Sequence, residues 1–304
     1  MRSLCRLLLL LAAAVMAASC SGILANVAAS ALSGEGSSFR SDDDPELVKE
    51  AIPFGLKTME SVLESTPHHT KLLGSACAGF TQYAYAFVQQ DAEELESTDP
   101  VRSRVGIART KRLLHRAVNY GFHGLEVTWG PGFAAAFERD RAAAVKKFEG
   151  KDVVPLLYWT AASLGALISL SKDDMKMVGR LPQVEALMKR ALELDEDFSD
   201  GAIHEFYVTY DNARSESNGG GVKRAKEHYD RVLALTGGKK IGVLVSWAEA
   251  VAVQNQDRKQ FDQLLDQVLA FNVDEEPRFR LVNLIAQRRA RFLKSRVGDL
   301  FLEE

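Results

Sequence analysis

An all-α fold built as an array of helical hairpins is what this sequence predicts, on three observations. Apolar residues recur at helical spacing through most of the chain. The composition is 46% hydrophobic but only 8% aromatic, with Ala and Leu outweighing Val and Ile and only 8 Pro in 304 residues. The stretch 153–195 reads as two helices joined by a polar turn, and the rest of the chain can be compared with it.

Within that stretch, residues 154–170 are apolar or small nearly all round, which predicts a buried helix. Residues 181–194 place Val184, Leu187, Met188, Ala191 and Leu192 on one face and Glu185, Lys189, Arg190 and Glu193 on the other, so this helix packs on the first. The polar run SKDD lies between them, and Pro182 sits where the first helical turn tolerates a missing N–H.

Taken from the beginning, the chain opens with an address. Arg2 and Arg6 precede the apolar run LLLLLAAAVMAA and the small residues Ala17-Ala18-Ser19, then Cys20. The apolar run is too short for a comfortable membrane span, so residues 1–19 read as a secretory signal. Its end resembles a lipobox, with Ala17 where Leu is usual, so Cys20 is the expected lipid attachment site; an ordinary signal beside a chance cysteine is the alternative. Ser21 rather than Asp follows the cysteine and favours an outer-membrane anchor in the periplasm. Residues 20–40 are then a Gly/Ser-containing tether and 41–304 a single helical domain. Losing Arg2 and Arg6 takes the net charge from −3 to −5, which argues against a nucleic-acid partner.

Asp44-Pro45 predicts a capped helix start, a better reading of Asp42–Asp44 than a metal site, and Pro53 predicts a kink or break. A helix ending near Pro67 hands over to residues 71–90, where Cys77 reads as a small buried hydrophobe. Leu73, Ala76, Cys77 and Phe80 fall in the positions of a tetratricopeptide first helix. Thr110, Leu114 and Ala117, then Val184, Met188 and Ala191, then Ala225, Tyr229 and Val232 share second-helix spacing, and Gln260, Leu264 and Val268 repeat it weakly. The unequal intervals predict a tetratricopeptide-like array of degenerate repeats. Further helices are expected over 104–126, 133–148, 201–213 paired with 222–235, and 241–254 paired with 258–271. A terminal helix over 277–302 is expected to present Arg288, Arg289 and Arg291 as the solvated end of a stack.

Catalytic and metal motifs do not emerge. SNGGGVK and TGGKKIG lack phosphate-loop spacing, the histidines His68, His69, His115, His123, His204 and His228 form no ligand pair in sequence, and no nucleophile elbow is present. His204, on a nearly apolar helix, reads as a core or helix-end histidine. The chain is read as a non-enzyme without cofactor or metal.

The segments SDDDPELV, GFTQYAYAFVQQDAEELE, LYWTAASLGALISLSKDD, LPQVEALMKRALELDEDF, GAIHEFY, AEAVAVQNQDR and NLIAQRRARFL resemble the TatT family, the T-component lipoproteins associated with TRAP transporters. The departures, Met175 after SKDD and Asn255 where Pro is common, touch turns only. The resemblance implies a tetratricopeptide-like periplasmic lipoprotein that forms a homotrimer, touches the membrane through its lipid anchor, and docks the solute-binding P-component of a tripartite ATP-independent transporter. It also implies a pore or cavity for an apolar or organic-acid ligand. Helices rich in Ala, Gly and rings leave grooves, and the candidate lining residues are Phe80, Tyr83, Tyr85, Phe87, Tyr158, Trp159, Phe206, Tyr207 and Trp247. A standalone carrier of a lipid-like ligand is the alternative function.

Overall fold

The computed structural model describes residues 37–302; the export signal, Cys20 and most of the expected tether lie outside them. The described residues form helices and turns and contain no strand. Twelve helices carry the argument: α1 (Pro45–Ser65), α2 (Thr70–Tyr83, continuing without a break through Ala84–Gln89 to Gln90–Glu94), α3 (Pro100–Trp129), α4 (Phe133–Arg139), α5 (Arg141–Lys146), α6 (Val154–Ser169), α7 (Leu181–Leu194), α8 (Phe198–Asn212), α9 (Val222–Thr236), α10 (Gly242–Trp247, continuing through Ala248–Ala252), α11 (Arg258–Ala270) and α12 (Arg280–Ser295).

Local chemistry sets most of the boundaries. The Asp44 carboxylate accepts from the backbone N–H groups of Glu46 and Leu47 and starts α1, with Pro45 in the first turn. Of the kink or break expected at Pro53, the break does not occur, and α1 runs on to Ser65. Its buried residues Val48, Leu56 and Leu63 fall on one stripe, and their packing outweighs the single backbone bond that proline removes. The helix expected from 104 begins four residues earlier, because Asp99-Pro100 repeats the Asp-Pro start and Asp99 caps Arg102 N–H. The single helix expected over 133–148 is two: Asp140 turns extended (φ −152°) and its carboxylate caps Ala143 N–H to start α5.

The core runs through α6. Leu157, Ala161, Leu164 and Leu167 have no exposed surface, and α2, α3 and α7 pack around them. Lys151–Ser169 is long and apolar enough to cross a membrane by composition, but helices occupy its faces here. Close approach between α3 and α6 depends on glycine: a Cβ on Gly121 would stand 2.3 Å from Thr160 Oγ1. Thr110, Leu114, Ala117, Val184, Met188 and Ala191 are all fully buried at the spacing noted above.

The chain end is where the sequence expectation fails most informatively. Arg288 and Arg289 do not form the outer face of a terminal cap. Arg288 binds Asp91 and both oxygens of Glu94 on α2, at 2.7–2.8 Å. Arg289 binds Glu93 on α2 and Glu249 on α10. Leu281 and Ile285 join the core made by Val48, Tyr83 and Phe87, and the Arg280 guanidinium donates to the Ser41 carbonyl. The last helix therefore returns onto the first two and closes the array on itself. Lone carboxylates and guanidinium groups in a half-buried seam need partners, and the acidic run from Asp91 to Glu96 supplies them. Only Arg291 of the three stays exposed.

Candidate functional site

Closure of the array directs side chains of α2, α6, α8, α10 and α12 toward one another. Tyr85 lies in the π-helical turn of α2, and Glu249 in the corresponding turn of α10, over Ala248–Ala252. Such turns insert an extra residue into a helix and re-aim the side chains that follow. Tyr85 keeps 58% of its surface accessible, yet its phenol is pushed up to about 12 by burial and by Glu249, with Glu205 and Glu93 adding to the shift and Arg289 opposing it. The ring is exposed, and the charges of Glu249 and Arg289 act on its phenol from the neighbouring helices. Tyr158 on α6 is raised further, first by burial, then by Glu205 and Tyr85.

The charged groups here are paired. Glu205 on α8 holds Lys240 at 2.9 Å, and the Gly242 position leaves room beside it, since a Cβ there would lie 3.0 Å from Glu205 Oε1. Glu249 and Glu93 hold Arg289 from two sides; burial would lower this guanidinium, and the two carboxylates more than reverse that. Two cations thus face three carboxylates. Neither the Tyr85 nor the Tyr158 hydroxyl has a hydrogen-bond partner among the described residues.

The nine aromatic residues singled out from the sequence divide. Phe80, Tyr83, Phe87, Tyr207 and Trp247 are packed in hydrophobic cores, with at most 9% of their surface accessible. Tyr85 is exposed, while Tyr158, Trp159 and Phe206 are half-buried. Tyr158 packs edge-on to Trp159 at 4.9 Å and against Phe198 at 5.3 Å, and Phe206 stacks on Tyr210 at 5.2 Å. Cys77 is fully buried and its thiol is pushed up to about 12 by that burial, which makes it a core residue without reactivity.

One cluster was invisible in the sequence. His204 on α8 and His228 on α9 meet Nδ1 to Nδ1 at 2.8 Å, and His228 Nε2 lies 3.5 Å from Asp211, which is nearly fully buried. Burial lowers both imidazoles, His228 to about 4, and raises Asp211. A signal existed only as two histidines in helices expected to pair, 24 residues apart, where no ligand spacing points to them. Among the described residues no three His, Cys, Asp or Glu side chains gather as a metal site. Two outer hollows, of about 410 Å³ beside Arg288 and Phe292 and about 390 Å³ beside Glu60 and Tyr120, are lined by none of the nine aromatic residues.

Comparison with known proteins places these features. A protein of Treponema pallidum (strain Nichols), described as uncharacterized, is 26% identical over 268 residues, covering 87% of this chain and 83% of its own. The TRAP transporter T-component family, TAtT, matches residues 41–301, which takes in every helix from α1 to α12. The chain therefore belongs to the TRAP transporter T-component family.

Proposed function

We propose that this protein is a lipid-anchored periplasmic T-component that assembles as a homotrimer, docks the solute-binding P-component of a TRAP transporter, and passes an apolar or organic-acid ligand through the space its helices enclose. Cys20 is the proposed lipid attachment site, the outer membrane its anchor, and residues 41–304 a tetratricopeptide-like domain. The family match from 41 to 301 carries this reading, because it spans the whole described array and not one hairpin. The exposed Tyr85 and the half-buried Tyr158, Trp159 and Phe206 support the ligand path: rings left outside the packed cores offer apolar wall with a few polar groups, as small-molecule sites do. Its function is transport assistance rather than catalysis.

Analytical ultracentrifugation of the protein, alone and mixed with the P-component of the same transporter, tests it. A trimer that takes up the P-component is the expected result. A monomer indifferent to the P-component overturns the docking reading and leaves a standalone carrier of a hydrophobic ligand.

A further inference from the structure

Two exposed helix faces share one plan. On α1, Leu47, Ala51 and Phe54 stand exposed at positions i, i+4 and i+7, and Leu47 and Phe54 keep 57% and 79% of their surface accessible. On α3, Val101, Val105 and Ala108 repeat that spacing, with Val101 and Val105 at 61% and 63%. Each triplet makes an apolar stripe about two turns long. Within the protomer the two helices meet at Glu60, which accepts from Arg116 and Tyr120, more than a turn beyond either stripe, so neither stripe covers the other.

The charges beside the stripes are opposite. Asp42, Asp43, Asp44, Glu46 and Glu50 accompany the first, where the one cation within residues 42–54 is Lys49, held by Glu46 and Asp91. Arg102, Arg104, Arg109, Lys111 and Arg112 accompany the second, and residues 100–125 contain no acidic residue. Asp43 and Glu50 on one face, and Arg104, Lys111 and Arg112 on the other, have no ion pair among the described residues. In a chain of net charge −3, so cationic a helix is a local feature. Its cations are mostly arginine, which protein interfaces favour while they disfavour lysine, so a protein partner suits it better than a lipid surface. Setting α3 on α3, or α1 on α1, would oppose like charges. Setting α3 of one copy on α1 of the next puts apolar stripe on apolar stripe and arginines against acids.

We infer that the Val101, Val105 and Ala108 face of α3 docks on the Leu47, Ala51 and Phe54 face of α1 in a second copy of this chain. This rests on the assembly reading above and names the contact, a heterologous one, that makes it.

The test is sedimentation velocity, over a concentration series, of residues 20–304 carrying Cys20→Ser, which cannot be acylated. Arg104→Glu with Arg112→Glu, and separately Asp43→Lys with Glu50→Lys, are each expected to raise the dissociation constant at least about tenfold, with an unchanged circular dichroism spectrum. Phe54→Ser, in a side chain that no core contains, is expected to do the same. All four charge reversals in one chain are expected to assemble more tightly than either pair alone, because the reversed faces attract again. A combined variant no tighter than either pair overturns the inference. Assembly unmoved by all the variants also overturns it, and leaves the homotrimer to another surface. Reversals that spare assembly but abolish uptake of the P-component overturn it and assign the faces to that partner. A monomeric parent chain overturns the inference together with the homotrimer.

Discussion

Replacing Arg289 by Met should open the seam that closes the array. The guanidinium keeps only 20% of its surface accessible and joins α12 to Glu93 on α2 and to Glu249 on α10. Methionine preserves the aliphatic packing and leaves two carboxylates, 24% and 39% accessible, without their cation. Removing one partner of a fully buried pair costs roughly 3–5 kcal/mol; with both carboxylates reachable by water, a loss of about 2 kcal/mol is expected. For a domain of this size that lowers Tm by about 5 °C. The internal control is Arg291→Met, one turn-fraction further along the same helix and exposed, for which a change within about 0.5 kcal/mol is expected. Urea unfolding of the two variants decides between them. Equal stability of the two would refute the seam and restore a solvated outer face carrying all three arginines.

Two further outcomes follow from packing and charge. Gly121→Ala should destabilise by about 2–3 kcal/mol in the same urea assay, because the added methyl meets Thr160 at 2.3–3.0 Å across the α3–α6 contact and neither helix can retreat from a filled core. The His204–His228 pair should make the protein acid-sensitive. Both imidazoles are lowered in the folded state, His228 to about 4, so the unfolded chain binds protons more readily as pH falls from the ordinary histidine range toward 4, and stability is lost on that descent. Allowing for solvent screening, the loss between pH 7.5 and 5 is about 1 kcal/mol. The raised carboxyl of Asp211 acts in the other direction, adding stability at lower pH and losing it as pH rises. A Tm measured against pH should fall on acidification, and the variant with His204→Gln and His228→Gln should flatten that fall; a slope unaffected by the substitutions contradicts the assignment.

Helix identity was legible because amphipathic periodicity and caps are local. Leu181–Leu194 has the same limits in sequence and structure, and Asp44-Pro45 starts α1 as its chemistry requires. Asp99-Pro100 carries the same signal three residues after an acidic run, where the basic stripe that follows is the stronger helical pattern. Asp140 was hidden inside an apolar period, where an aspartate reads as one exposed position of a helix until its carboxylate is seen to cap the next. Closure was not legible at all. Arg288 and Arg289 lie about 195 residues from the α2 acids that hold them, and a charged stripe on a last helix looks the same whether water or a distant helix covers it. Tyr85 and Phe87 are two residues apart and of similar character, yet one is open and the other buried, because residues at that spacing point to opposite faces of a helix and only the fold decides which face is covered. The pairing of α8 with α9 was legible, but not the register that sets His204 against His228.

The central claim is that the last helix returns onto the first two and closes the array through Arg288 and Arg289. Its most direct measurement is a crystal structure of the protein. The account predicts α12 packed on α2, with Arg288 on Asp91 and Glu94 and Arg289 between Glu93 and Glu249. An α12 found detached from Asp91, Glu93 and Glu94 would contradict it.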